Sequence, residues 1–334
     1  MAPLSSIHTV QRPVQKYTVT GKAQGTTYRI IYYTSGDTLS VAAVDSILGH
    51  LDDCFSLYRE NTLINRFNRS ERGVVVDQDF KKVMEQCFAV YKDTKGIADP
   101  TIYPLVRFWR GVEANHGGKD FRDKFRDARR CIGLEGVSLF MDSLVKDKPC
   151  FQLDLDGSAQ GYTVDCLAQY MEQLNINDYL VELGGEIRIK GRKQPGGVRF
   201  AVALEQPGDG PGVTTFNYKN YYLEEGAVTT SGNYRKFMES GGNSHGHIID
   251  PKNGYPFQNE LISVTLFART ALIADAYDHA VFGMGLKRGW EFIKAHPFLK
   301  AVFIYRDRSG KIRVQESAGL EGNEKTDDSP LDGR

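Results

Sequence analysis

The sequence predicts an α+β fold in which helices pack on a mainly antiparallel sheet. Runs with the period-two alternation of strands recur along the chain, and glycine-containing turns separate them. The order of strands, hairpins and helices favours antiparallel pairing. With 334 residues, 41% of them hydrophobic and 25% charged, the chain is long enough to bury a full core.

The first half of the chain supplies strands and then helices. Residues 16–34 have the pattern of two strands around a glycine turn. Helical periodicity starts near Asp37, with Asp37 or Ser40 as the N-cap, and residues 77–96 form a second amphipathic pattern. Residues 98–111 are predicted to be a proline-interrupted loop, and the charged residues 115–130 a helix or a surface loop.

The second half is richer in strands. Residues 150–176 predict a strand that runs into a helix, and residues 179–191 a hairpin that turns at Gly184-Gly185. The remaining predicted elements are strands at 199–205, 220–232 and 262–268, helices at 270–285 and 286–296, and a closing hairpin over 300–316. We expect a flexible arm over residues 1–15, one domain over 16–320, and a disordered polar tail over 321–334.

Composition argues against a nucleic-acid-binding protein and against a chain that spans a membrane. Lys plus Arg and Asp plus Glu both number 42, so neither the charge nor any motif indicates a nucleic-acid partner. No apolar run is long enough to span a membrane, and the first residues lack the apolar core of a signal peptide. This fits a cytoplasmic protein or the mature form of an exported one. The five scattered cysteines have no metal-site spacing and are expected to be mostly buried small hydrophobes.

Three glycine-containing stretches look suited to a ligand, although each also has a purely structural interpretation. Asp154–Gly161 places carboxylates and small residues at a helix start, which suits either a phosphate or an ordinary capped turn. Glu182–Glu186 indicates little beyond a tight hairpin. Thr229–Asn233 offers hydroxyl groups to a phosphate, or forms a local hydroxyl-capped turn.

Two stretches contain histidines that could take part in chemistry. His245 and His247 precede an Asp-Pro turn. Three interpretations are open: a histidine here acts as a general base, the two histidines together bind a metal ion, or they are polar residues at the edge of a strand. Asp275 and His279 are four residues apart on a predicted helix and share a face, so they could hold Mg²⁺ or form a surface ion pair. Asp278 is expected to point about a quarter turn away from the Asp275 face.

Taken in order, eight segments resemble those of the ApbE-type FAD:protein FMN transferases and span about residues 20 to 285. They are GKAQGTTYRI, FSLYRENTLINRFN, GIADPTIYPLV, LDLDGSAQGYTVDCLA, YLVELGGEIRIKG, TTSGNYRKF, HIIDPKNGYP and ADAYDHAVFGMG. The resemblance implies an ApbE-like, T-fold-like architecture. It also implies an enzyme that binds FAD and Mg²⁺, joins FMN through a phosphoester to a threonine of an acceptor flavoprotein, and releases AMP.

The same resemblance implies partners, a location and alternatives. Acceptors in the family are typically subunits of membrane redox complexes, and family members are commonly lipoproteins of the periplasm and cell envelope. Some relatives instead hydrolyse FAD to FMN and AMP. A third interpretation is a non-catalytic FAD-binding paralogue, because this chain has His279 where the family usually has threonine.

The resemblance also assigns roles to residues. His247 matches the catalytic base, while Gly157, through its backbone carbonyl, Asp275 and His279 match the metal site. Thr230, Ser231 and Gly232 match a loop near the diphosphate. The positions that match flavin contacts are Gln24, Tyr58, Ile97, Ala98, Asp99, Asp154 and Gln160. Gln24 stands where methionine is frequent, and Gln160 stands where lysine or glutamate is frequent.

Overall fold

The computed structural model describes residues 13–111, 119–206, 216–232, 237–240, 243–246, 248–320 and 322–324. Its helices are α1 (Val41–Phe55), α2 (Leu63–Arg69), α3 (Gln78–Asp93), α4 (Tyr103–Arg110), α5 (Lys119–Arg129), α6 (Asp156–Gln173) and α7 (Ala271–Ala295). Its strands in the first half are β1 (Gln15–Ala23), β2 (Thr26–Thr34), β3 (Gly73–Val75), β4 (Val137–Phe140) and β5 (Ser143–Lys146). Those in the second half are β6 (Asp178–Leu183), β7 (Glu186–Lys190), β8 (Phe200–Gln206), β9 (Phe216–Leu223), β10 (Glu225–Gly232), β11 (Phe237–Ser240), β12 (Asn243–Gly246), β13 (Leu261–Ala268), β14 (Lys300–Arg306), β15 (Ile312–Glu316) and β16 (Gly322–Glu324).

An eight-stranded sheet organises the molecule. Its strand order is β1-β2-β6-β7-β10-β13-β14-β15, and each neighbouring pair runs antiparallel. The described residues also form small sheets in the orders β16-β9-β8, β3-β5-β4 and β11-β12. The antiparallel α+β architecture predicted from the sequence is therefore confirmed.

The two faces of the large sheet are covered by different layers. On one face, α6 and α7 pack against apolar side chains such as Val181 of β6 and Val264 of β13. On the other face, Phe200 of β8 and Tyr221 of β9 cover Val228 and Phe267. The helical layer is the one that places the candidate site, because α6 and α7 carry its polar side chains.

Helices α1 to α3 form a further core with the small β3-β5-β4 sheet and one side of α6. Local sequence signals fix their starts. The Ser40 side chain accepts a hydrogen bond from the Ala43 N–H, and Asp77 accepts one from the Phe80 N–H, as expected for N-cap residues. Of the two N-caps that the sequence offered for α1, the structure selects Ser40.

The structure corrects three predicted elements. The single strand predicted over 220–232 is divided between β9 and β10, which belong to different sheets. The proline-interrupted loop over 98–111 contains helix α4, because Pro104 lies in the first helical turn, where a missing N–H costs no hydrogen bond. The predicted strand before α6 shrinks to one bridge, in which Gln152 pairs with Ile102. By contrast, the two helices predicted to meet at Gly285 are the two halves of α7, which bends at that glycine (φ 72°, ψ 173°).

The cysteines and the chain ends also add detail. Cys54 and Cys87 are buried thiols, as expected from the sequence. Cys131 and Cys150 instead form a disulfide with a Cα–Cα distance of 5.4 Å, so the expectation of buried thiols is wrong for this pair. Strand β16 lies within the predicted tail and pairs with β9. The rest of that tail and most of the predicted arm lie outside the described residues. Within the part of the chain that is described, no helix is long and apolar enough to cross a membrane.

Candidate functional site

An apolar cavity of about 200 Å³ lies between the α3–α4 connection, the start of α6, helix α7 and residues 248–257. Apolar side chains such as Ile97, Ile248 and Phe257 form much of its wall, and Arg110 supplies a cation. Six residues that the family resemblance assigns to the site line this cavity: Ile97, Ala98, Asp99, Asp154, Gly157 and His279. The fold thus gathers residues that are up to 182 positions apart in the sequence.

The turn before α4 shapes one wall of the cavity. One carboxylate oxygen of Asp99 accepts hydrogen bonds from the Thr101 N–H at 2.8 Å and the Thr101 hydroxyl at 2.6 Å. Burial raises the pKa of Asp99 to about 6, although these hydrogen bonds favour the ionised form. Asp99 is therefore a carboxyl group that titrates near neutral pH inside the cavity.

The start of α6 forms the adjoining wall. The Asp154 N–H donates to the Pro100 carbonyl at 2.8 Å, which holds this segment against the turn before α4. The Asp154 side chain accepts a hydrogen bond from the Asp156 N–H at 3.0 Å, as an ordinary capped turn would. Burial and the neighbouring charge of Asp156 raise the pKa of Asp154 to about 7. The residue therefore caps the turn and also presents a titratable group to the cavity.

A carboxylate cluster on α7 adjoins the cavity. Asp275, Asp278 and His279 each offer one potential ligand atom, and these atoms lie within 4.8 Å of one another. Asp275 and Asp278 are only 2% and 1% exposed, so the surface ion pair considered from the sequence is wrong. Asp278 was expected to point away from the cluster, but its carboxylate oxygen lies 2.8 Å from His279 Nδ1.

A close approach of α6 to α7 holds Asp275 in place. The Gly161 N–H of α6 donates to a carboxylate oxygen of Asp275 at 2.8 Å. A Cβ atom at Gly161 would lie 2.4 Å from the Ala271 carbonyl oxygen and 2.7 Å from Asp275 Cβ. Only glycine permits this contact. One turn earlier, a Cβ atom at Gly157 would lie 3.1 Å from His279 Nδ1, so the structure brings Gly157, Asp275 and His279 together.

The charges of the cluster perturb one another. Burial raises the pKa of Asp275 well above its usual range, and the nearby Glu186 and Asp278 raise it further. Burial alone would lower the pKa of His279, but Asp278, Glu186 and Asp154 outweigh that effect and raise it. Glu186, which follows the Gly184-Gly185 turn, therefore belongs to the cluster. From the sequence this stretch indicates little beyond a tight hairpin, so Glu186 is a site residue that only the structure reveals.

The donor set fits a divalent cation. Buried carboxylates are unfavourable together unless a proton or a metal ion offsets their charge. Carboxylate oxygens are the ligands that Mg²⁺ prefers, and the imidazole of His279 is a softer ligand that also suits transition metals. The positions that would hold the ion are Asp275, Asp278 and His279, with the Gly157 backbone beside them.

Three assigned residues do not line the cavity, and two of them lie in or beside α6. Gln24, in the β1–β2 turn, donates from Nε2 to the Thr163 hydroxyl at 2.8 Å, while its buried Oε1 has no hydrogen-bond partner among the described residues. Gln160 lies beside Gly184, where a Cβ atom would be 3.4 Å from Gln160 Nε2. Tyr58 is 78% exposed after α1 and presents a free aromatic face.

The assigned residues of β10 do not act as one loop. Ser231 stands opposite Val264, which packs beneath α7, so Ser231 is on the helical face of the sheet. Thr230 is on the other face, where its hydroxyl hydrogen-bonds that of Thr265 at 2.8 Å. The Ser231 hydroxyl is buried and has no hydrogen-bond partner in the described part of the chain. Gly232 ends the strand.

The Asp-Pro turn is formed as the sequence predicts, but His247 itself lies outside the described residues. Asp250 accepts a hydrogen bond from the Lys252 N–H at 2.8 Å, and its own N–H donates to the Tyr255 carbonyl at 2.8 Å. Ile248 and Ile249, directly before this turn, are buried and line the cavity.

Comparison with known proteins gives consistent results. The model of the ApbE family matches residues 24–303. The chain is 29% identical to the FAD:protein FMN transferase of Haemophilus influenzae, over 94% of this chain and 93% of that enzyme. It is 31% identical to the FAD:protein FMN transferase of Vibrio cholerae, over 92% of this chain and 93% of that enzyme. Among solved structures, it resembles the flavin transferase ApbE of Vibrio cholerae (TM-score 0.81, 28% identity, 92% of this chain and 98% of that one). It also resembles the apo form of the Pseudomonas stutzeri flavinyl transferase ApbE (TM-score 0.80, 28% identity, 91% and 95%).

Proposed function

This chain belongs to the ApbE family, and we propose that it is an FAD:protein FMN transferase that uses a divalent cation to move FMN from FAD to a threonine of an acceptor protein. The observation that carries the proposal is the carboxylate cluster of α7, which stands directly beside an apolar cavity at the start of α6. This arrangement supports a cation site next to a place for a flat aromatic ring.

The cavity suits part of FAD. At about 200 Å³ it is smaller than the roughly 300–1,000 Å³ of pockets that enclose a whole ligand. We assign the flavin ring to the apolar walls around Ile97, Ala98 and Ile248. Arg110 on the same cavity offers a positive charge to the diphosphate. The exposed ring of Tyr58 is free to pack on the flavin or on the adenine.

The cation assigned to the cluster is Mg²⁺. Asp275, Asp278 and His279 would hold it together with the Gly157 carbonyl. Its chemistry there is to offset the negative charge of the diphosphate. The chain itself holds Asp275 in place through a hydrogen bond from the Gly161 N–H. Because Gly161 has no side chain, α6 and α7 can approach closely enough for this bond to form.

The reaction requires one proton transfer. The acceptor hydroxyl oxygen attacks the phosphorus of the FMN half, the bond to the AMP oxygen breaks, and the hydroxyl proton leaves to a base. We assign that base to His247, on the strength of its match to the family's motif. An imidazole is suited to this step because its pKa is near working pH.

The first experiment is a measurement of AMP release from FAD with Mg²⁺, with and without an acceptor that carries the family's threonine motif. Mass spectrometry of the acceptor follows. Addition of FMN together with AMP release supports the transferase. AMP release without an acceptor indicates an FAD pyrophosphatase, and intact bound FAD across several metals indicates a non-catalytic paralogue.

Two histidine variants test whether His247 is the catalytic base. We expect His247→Ala to abolish transfer and to leave FAD binding nearly unchanged, because a base is not needed for binding. His245→Ala is the matched control and should retain activity, since His245 matches no family position. Equal loss of transfer and of FAD binding in His247→Ala would contradict the assignment.

We also propose that the protein works in the periplasm on a subunit of a membrane redox complex. The disulfide between Cys131 and Cys150 supports an oxidising compartment, because such bonds rarely persist in the cytosol. Fractionation of the native host, with thiol labelling of each fraction, tests the location. Recovery in the cytosol with both cysteines reduced would contradict it.

A further inference from the structure

A second group of metal-ligating side chains lies between α1 and α3 and shares no residue with the α7 cluster. We propose that His50, Cys54 and Asp77, with Asp79 as a fourth ligand, form a binding site for a borderline-soft divalent metal of the Zn²⁺ class. This proposal does not rest on the transferase reaction. It rests on the residue types, on the distances between their ligand atoms in the folded chain and on the contacts that hold them together.

The fold brings the four side chains to one place. His50 and Cys54 are four residues apart on α1 and so share a face of that helix. Asp77 is the N-cap of α3, and Asp79 lies in the first turn of the same helix. The ligand atoms of His50, Cys54 and Asp77 all lie within 4.8 Å of one another.

The distances are close to those around a bound ion. Metal–ligand distances of about 2.0–2.3 Å put tetrahedral ligand atoms roughly 3.3–3.6 Å apart. Here His50 Nε2 lies 3.8 Å from Cys54 Sγ, 4.0 Å from Asp77 Oδ2 and 2.8 Å from Asp79 Oδ2. Cys54 Sγ lies 3.0 Å from Asp77 Oδ2. Shifts of under 1 Å, within the reach of side-chain rotation, would bring His50, Cys54 and Asp77 to these separations, and Asp79 Oδ2 already lies within hydrogen-bond distance of the His50 ring.

Outer contacts orient both carboxylates. Asp77 Oδ1 accepts from the Phe80 N–H at 2.8 Å, which leaves Oδ2 toward Cys54. Asp79 Oδ1 accepts from the Tyr162 hydroxyl at 2.5 Å, which leaves Oδ2 toward His50. Fixing one oxygen of a carboxylate while the other faces the ligand position is typical of supporting contacts in metal sites.

The donor types select the metal. A thiolate and an imidazole favour Zn²⁺ or Co²⁺ over Mg²⁺, which prefers oxygen ligands. Cys54 is 2% exposed, whereas the side chain of His50 is 52% exposed. The site is therefore anchored in the core and open on one side, so an ion can enter. Binding exchanges the Cys54 thiol proton, now directed at Asp77, for the metal.

A metal here would link α1, which carries His50 and Cys54, to the start of α3, where Asp77 and Asp79 lie. The hydrogen bond from Tyr162 to Asp79 connects this site to α6, five residues beyond Gly157. The expected consequence is a higher melting temperature in the presence of Zn²⁺, because an ion that binds only the folded chain stabilises it.

The test uses Co²⁺ as a spectroscopic probe of the full-length chain after treatment with a chelator. We expect a near-ultraviolet thiolate-to-Co²⁺ charge-transfer band that saturates as this site fills and that Zn²⁺ removes. Cys54→Ser should abolish the band. Cys166→Ser is the matched control and should keep it, because Cys166 is outside the ligand set although it lies on the same face of α6 as Tyr162. Asp275→Asn, which alters the other cluster, should also keep it.

A second variant guards against misfolding of Cys54→Ser. His50→Gln changes an exposed side chain and should fold normally, yet it should lower the Co²⁺ affinity more than tenfold and remove the Zn²⁺-dependent rise in melting temperature. Absence of the band in the unaltered chain would overturn the proposal. Persistence of the band in Cys54→Ser, or of full affinity in His50→Gln, would overturn it as well.

Discussion

Gly161→Ala tests whether the contact between α6 and α7 sets the position of the carboxylate cluster. The added Cβ atom would stand 2.4 Å from the Ala271 carbonyl oxygen, whereas ordinary contacts begin near 3.4 Å. The two helices would have to separate by about 1 Å. Overpacking of this kind costs about 1–3 kcal/mol, and stretching the hydrogen bond from the Gly161 N–H to Asp275 adds a further loss of about 1–2 kcal/mol. We expect the free energy of unfolding to fall by about 3 kcal/mol.

The assay combines urea unfolding with Mg²⁺ titration of AMP release. Because Asp275 moves with α7, we expect the Mg²⁺ concentration for half-maximal activity to rise in Gly161→Ala. Gly49→Ala is the matched control. Its Cβ atom would meet nothing within 4 Å in α1, so it should be neutral or stabilising by up to about 1 kcal/mol. The reasoning is refuted if Gly161→Ala unfolds like the unaltered chain and keeps its Mg²⁺ dependence.

Three further outcomes are expected. Burial raises the pKa of Asp99 to about 6, above the roughly 3.9 of an aspartate in an unfolded chain. Between these two values the folded chain binds the proton more tightly than the unfolded chain does. The free energy of unfolding therefore falls as pH rises from about 4 to about 6. Asp99→Asn should remove this decline, at most about 3 kcal/mol, in urea unfolding at several pH values; an unchanged pH slope would contradict it. His279→Thr should raise Mg²⁺-dependent AMP release, because a hydroxyl is a harder and smaller ligand; no gain would mean that His279 is not a ligand or is an adapted one. Replacing Cys131 and Cys150 together by serine should lower the free energy of unfolding by about 3 kcal/mol, as expected for a closed loop with a sequence separation of 19; equal stability of the two proteins would show that the bridge does not constrain the unfolded chain.

Local signals in the sequence were sufficient for most elements. Alternation and glycine turns gave the hairpins of β1–β2 and β6–β7, and capping residues such as Ser40 marked helix starts. Helix α4 does not follow from the pattern, because Pro104 predicts an interruption, whereas proline is tolerated in the first turn of a helix. The short helix α2 and strands β3 to β5 were also missed.

The site was predictable only in part, because tertiary contacts decide which side chains meet. Asp275 and His279 were found from their helical spacing. Asp278 was set aside on that same spacing, yet burial of α7 against α6 brings it into the cluster. Glu186 reaches the cluster from β7, and nothing local indicates that a residue of this hairpin approaches α7.

The alternation along β10 limits how this protein can change in evolution. Ser231 faces the helices and Thr230 faces the opposite layer. A single residue inserted or deleted within the strand would exchange these two faces and bury the wrong side chains along its whole length. We therefore expect homologous chains to differ in length in the connections at the edges of the sheet and to keep the length of β10 unchanged.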